Sequence, residues 1–99
     1  IGVPALFVVG DQDRIVPASS TRRLYAATRP PATWISVRGG FHCGFLDSTS
    51  FFGLGCDSGT ITRSEQLAIT RRVLGDWLDA TLKGRPAPSW PSGVDIENR

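Results

Sequence analysis

Apolar positions along the chain change their spacing from block to block, and each change marks an element. Pro4-Ala5-Leu6-Phe7-Val8-Val9 is a continuous apolar run closed by Gly10-Asp11, which predicts a short strand buried on both faces. Thr33-Trp34-Ile35-Ser36-Val37 is β-branched and aromatic, with alternation at Ile35 and Val37, and predicts a second strand. Between them, Gly10 to Pro17 reads as a loop carrying Asp11, Asp13 and Arg14. A helix is predicted from about Ser19 to Thr28, with Ser19 or Ser20 available as N-cap and Leu24, Tyr25 and Thr28 at helical spacing. Pro30-Pro31 ends it.

The clearest element comes later. Thr62-Arg63-Ser64-Glu65 has the form of a capping box, in which the Thr hydroxyl and the Glu carboxylate satisfy reciprocal backbone amides. Leu67, Thr70, Leu74, Trp77, Leu78 and Leu82 then fall on one stripe, the apolar face of an amphipathic helix, with Arg71, Arg72, Asp76 and Asp79 largely off it. Lys83-Gly84 and Pro86 stop that helix. Leu46 to Ile61 has no periodicity and holds Phe51-Phe52; a loop of about 15 residues is functional or tied down. Arg85 to Arg99, with Pro86, Pro88 and Pro91, reads as an extended tail.

Strand, loop, helix, strand, loop, helix is the order of an α/β protein with a parallel sheet. Two strands are too few to make such a sheet alone, and a chain that begins Ile-Gly-Val-Pro and runs straight into a strand is expected to be part of something longer. On that expectation residues 1–84 are a domain portion and residues 85–99 a Pro-rich tail.

Bulk properties narrow the partners. With 99 residues, 40% hydrophobic and 20% charged, the composition is that of an ordinary globular domain. The net charge of +2 comes from scattered arginines with no basic run interleaved with aromatics, which argues against nucleic acid as a partner. No apolar segment approaches the ~20 residues that span a bilayer, so no membrane span is expected. Cys43 and Cys56 lack the additional Cys or His that a zinc site needs; neither a metal nor a cofactor is expected. A Cys43–Cys56 disulfide is the better reading and implies an exported protein; two reduced, buried thiols are the alternative.

His42 is the only histidine, set among glycines in Gly39-Gly40-Phe41-His42-Cys43-Gly44-Phe45. Imidazole titrates near neutrality and is the usual proton shuttle of hydrolases; a surface histidine without a role is the plain alternative. In open α/β sheets the working residues sit beyond the carboxyl ends of the strands, where both Asp13 and His42 fall. If the two strands are adjacent and parallel, a carboxylate and an imidazole come side by side.

Those two loops carry a family resemblance. Gly10-Asp11-Gln12-Asp13-Arg14-Ile15-Val16-Pro17 resembles the Gly-x-x-Asp-x-x-Val-Pro segment that bears the acid of α/β-hydrolases, and Gly39-Gly40-Phe41-His42 resembles their histidine loop. The order, acid before histidine, also agrees. The resemblance covers roughly Val3 to Gly84 and implies the C-terminal part of an α/β-hydrolase fold, its last two parallel strands and two helices. It implies Asp13 as the acid and His42 as general base, with Asp11 the competing carboxylate. It implies a carboxylic ester, small or polymeric, as substrate. The cysteine after the histidine and the later Cys56-Asp57 look like an exported esterase, lipase, polyester-hydrolase or dienelactone-hydrolase-like branch.

The departure from the family pattern is the nucleophile. Gly-x-Ser-x-Gly occurs nowhere in the chain, so the serine of a Ser-His-Asp enzyme is expected on a missing N-terminal part, and the 99 residues alone are expected to be inactive. Cys43 is a poor substitute, because a disulfide would consume its thiol. A non-catalytic exported binding or structural module on the same scaffold is the alternative. Phe41 and Phe45, with Phe51-Phe52, flank the histidine and could line an acyl pocket or simply pack locally. Trp34 and Trp77 read as core residues, and Trp90 as packing back on the body.

Overall fold

The structure, a computed structural model, describes residues 3–46, 56–86 and 88–99. Its centre is a three-stranded mixed sheet in the order β1 (Ala5–Gly10), β2 (Ala32–Val37), β3 (Val94–Asn98). β1 and β2 run parallel, in register from Ala5↔Ala32 to Gly10↔Val37, and β3 lies antiparallel on the other side of β2. Helix α1 (Ala18–Ala27) connects β1 to β2, and helix α2 (Arg63–Leu82) precedes β3. This is an α/β arrangement.

The alternation of side chains along a strand sorts the core into two layers. On one face Val9, Ala32 and Trp34 pack with Tyr25 of α1, supported by Phe7. Tyr25 lies edge-on to Phe7 at 5.7 Å between ring centroids and tilted against Trp34 at 5.6 Å. On the other face Ile35 and Val37 meet Val73 of α2 and Val94 of β3, with Leu6, Val8, Ile69 and Trp90 around them. Trp34 is thus a core residue, Trp77 is half-buried, and Trp90 packs on the body.

Helix α1 begins one residue earlier than the pattern predicts. Pro17, at φ −57°, is the residue before its first turn, and neither Ser19 nor Ser20 caps it. Proline's fixed φ and missing N–H let the helix start directly behind it, which leaves both serines inside the first turn. At the other end Arg99 Nη1 donates to the carbonyls of Tyr25, Ala26 and Thr28 at 2.6, 2.9 and 2.7 Å, satisfying groups a helix terminus leaves open.

Two expectations need correction. The tail after Gly84 does not stay apart from the sheet: Val94–Asn98 adds an antiparallel strand, so among the described residues the sheet has three strands and is mixed, where the pattern predicts only two parallel strands. With only Val94 and Ile96 alternating, its pattern is too short to read as a strand from sequence. The second correction concerns α2. The capping box forms as predicted, Thr62 Oγ1 accepting from the Glu65 amide at 3.1 Å. The face turned inward, however, is Gln66, Ile69 and Val73, whereas Leu74, Leu78 and Leu82 of the predicted stripe are exposed, Leu82 at 76%. One residue of helix rotates a side chain by about 100°, so the stripe beginning at Gln66 and the one beginning at Leu67 cannot both face the sheet.

Candidate active site at the ends of the parallel strands

Because β1 and β2 end together at Gly10↔Val37, the loops that follow them touch. Their contact is backbone on backbone: a Cβ at Gly10 would lie 2.5 Å from the Gly40 carbonyl carbon, so a glycine is required there. Asp11 N–H donates to the Val37 carbonyl and Gln12 N–H to the Gly40 carbonyl, at 3.1 and 2.8 Å. The first loop is thereby laid along the second.

Asp13 and His42 meet across this seam. Asp13 Oδ2 lies 3.1 Å from His42 Nδ1. The other oxygen, Oδ1, accepts from the amides of Ile15 and Val16 at 2.9 and 2.8 Å, which turns the chain sharply and aims the carboxylate back at the ring. The Asp13 side chain is 8% exposed and that of His42 is 41% exposed, so the carboxylate is covered while the imidazole reaches solvent. With Nδ1 donating to Asp13, the lone pair of the neutral ring sits on Nε2. Asp11 does different work: its Oδ1 accepts from the Gly39 amide at 2.7 Å, at the turn where Gly39 takes a φ of 75°.

The rest of the histidine loop is held by side chains reaching its backbone. Gln66, fully buried on the first turn of α2, accepts from the Phe41 amide at 2.9 Å and donates to the Phe41 carbonyl at 2.8 Å. Behind His42 the chain makes a single turn of 3-10 helix, His42–Phe45, and Cys43 is disulfide-bonded to Cys56. No free cysteine remains, so Cys43 offers no thiol as a nucleophile. Asp57, next to Cys56, accepts three amides: His42 at 2.9 Å and Arg14 at 3.3 Å on Oδ2, and Cys43 at 3.0 Å on Oδ1. Burial pushes the Asp57 carboxyl up, but the amides of His42, Cys43 and Arg14 outweigh it and hold it below the usual aspartate range.

Phe41 and Phe45 lie on either side of His42 and are half-buried. The Phe41 ring packs toward Gly59, where an added Cβ would meet its Cδ1 at 2.9 Å. Phe51 and Phe52 lie outside the described residues. Two open grooves, of about 370 and 260 Å³, run along α2 and are lined by residues such as Ile69, Arg72 and Pro91, or Asp76, Arg85 and Pro88; neither includes Asp13, His42, Phe41 or Phe45. Among the described residues no group of three His, Cys, Asp or Glu is placed to hold a metal ion, and no helix is long and apolar enough to cross a membrane.

The sequence pattern leaves Gln66 and Asp57 without assigned roles. Gln66 stands three and seven positions before Ile69 and Val73, but that this stripe faces inward is shown only by the structure. Asp57 has only its neighbour, a disulfide cysteine. Chemically, the arrangement can hold an imidazole in one tautomer, present Nε2 to solvent and stabilise the imidazolium formed when Nε2 takes a proton. Comparison with protein families, curated proteins and solved structures finds no match to this chain.

Proposed function

We propose that this chain supplies the acid and the base of a Ser-His-Asp ester hydrolase, Asp13 as acid and His42 as base, with the serine on a segment outside these 99 residues. The observation that carries the proposal is the 3.1 Å approach of Asp13 Oδ2 to His42 Nδ1 at the matching ends of two adjacent parallel strands. The outer edge of β1, unpaired among the described residues, and the exposed Leu74, Leu78 and Leu82 support a larger sheet and a covered α2 in the complete protein. The family is that of the α/β-hydrolases, on the loop motifs quoted above. The disulfide favours an extracytoplasmic setting.

In this mechanism Nε2 takes the proton of the serine hydroxyl as its oxygen attacks the ester carbonyl. Asp13 stabilises the resulting imidazolium, and His42 returns the proton to the departing alkoxide. Water then repeats the sequence on the acyl-enzyme. Proton transfer by a positioned side chain contributes roughly 10²–10⁴-fold. A serine-directed phosphonate is expected to label the complete protein, and His42→Ala to slow labelling by about that factor. Labelling at an undiminished rate in His42→Ala would overturn the assignment. The missing Gly-x-Ser-x-Gly favours a second reading, a binding module without chemistry, for which the complete protein would take no label at all.

A further inference from the structure

Asp57 stands outside the acid–base pair, yet its three donors come from both loops that carry the pair. Arg14 directly follows Asp13, and its amide reaches Oδ2 at 3.3 Å; the amide of His42 itself reaches the same oxygen at 2.9 Å. The Cys43 amide completes the set on Oδ1 at 3.0 Å. One carboxylate therefore fixes the backbone beside each partner, independently of the Asp13–His42 side-chain bond. The disulfide from the preceding residue, Cys56, to Cys43 carries Asp57 to this position.

We infer that Asp57 is a positioning residue, setting the separation of Asp13 and His42 by pinning the backbone of both loops, with the Cys43–Cys56 bond holding it in place. The inference rests on reading Asp13 and His42 as acid and base. A staple that served only to close the 43–56 loop would need no carboxylate between the amides of Arg14 and His42. A displacement near 1 Å at such a pair can cost about 10²-fold in rate, which is why the backbone beside it needs an anchor.

With a single histidine, the full chain gives one set of imidazole signals. In ¹⁵N-histidine-labelled protein the two ring nitrogens report the Nδ1–H tautomer, and the hydrogen-bonded Nδ1 proton gives a slowly exchanging downfield resonance. In Asp57→Ala that resonance is expected to disappear and the ring nitrogens to average between tautomers. Exchange of the His42 and Cys43 amides is expected to rise about tenfold. The Gly39 and Phe41 amides, held by Asp11 and Gln66, should keep their protection. An unchanged ring signature in Asp57→Ala, with those two amides still protected, overturns the inference.

If Asp57→Ala unfolds the loop, Asp57→Asn is read in the same way, since it keeps the shape and one acceptor oxygen. Intermediate loss then supports the inference, and an unchanged ring signature while the His42 and Arg14 amides exchange faster overturns it. Asp13→Asn separates the two readings. If the Nδ1 signature survives Asp13→Asn, the acid–base pair itself is wrong; if it is lost there but survives in the Asp57 variants, only the positioning role fails.

Discussion

The histidine loop, residues 39–45, and the second half of α2, residues 74–82, are held in opposite ways. In the loop, backbone bonds at Gly39 and Gly40 are joined by side chains gripping backbone: Asp11 on Gly39, Gln66 on both polar groups of Phe41, Asp57 on His42 and Cys43. Along α2, Leu74, Leu78 and Leu82 are exposed, and the polar side chains form i,i+4 pairs, Arg72 with Asp76 and Asp79 with Lys83. Hydrogen bonds are directional and fix a loop to fractions of an ångström; apolar contact is not directional and tolerates sliding. The first suits a pair of side chains that must meet at one distance.

That contrast can be broken from either side. Gln66→Leu should be the most damaging change, because it strands the Phe41 amide and carbonyl beside an apolar side chain; a loss of about 3 kcal/mol is expected in denaturant unfolding. Loss below about 1 kcal/mol would mean that the Gln66 grip contributes little. Gly10→Ala drives a Cβ into the Gly40 backbone and should cost about 2 kcal/mol while also disturbing the Nδ1 signature of His42. Thr62→Ala removes the α2 cap at about 1 kcal/mol, with no effect on the histidine resonances beyond that of general destabilisation.

Acid gives a finer probe. The Asp57 carboxyl titrates below its ordinary value in the folded chain, so the stability it contributes is complete above about pH 4 and lost as pH falls through the lowered folded value. The protection of the His42 amide, measured against its intrinsic exchange rate, should therefore fall in that acid window in the wild type, and this acid-dependent fall should be absent in Asp57→Asn. The smallest effect is expected on the other side of the comparison: Leu78→Ser should change unfolding by no more than about 0.5 kcal/mol in this chain. A larger loss would show that the leucine face is already packed.

Much of this arrangement is legible in the sequence, for reasons that can be named. β1 and β2 are visible because their apolar and β-branched runs are long enough to be unambiguous, and α2 because its cap is a local motif. That Asp13 and His42 could meet follows from the same reading, since residues just beyond the ends of adjacent parallel strands are neighbours. Which way α2 faces is not legible: hydrophobicity marks what a helix could bury, and here Leu74, Leu78 and Leu82 of the more apolar stripe are exposed. Nor are the grips of Gln66 and Asp57, because a side chain reaching a backbone amide 25 or 15 residues away leaves no local pattern. β3 is lost for a third reason, its brevity.

Gln66 sits near one end of α2 and Leu82 at the other, and at about 1.5 Å per residue the rod between them is about 24 Å long. A turn of that rod by a single residue swings the Gln66 amide about 100° away from Phe41. One azimuth of α2 therefore decides both whether Gln66 reaches Phe41, the residue before His42, and which leucines stay exposed.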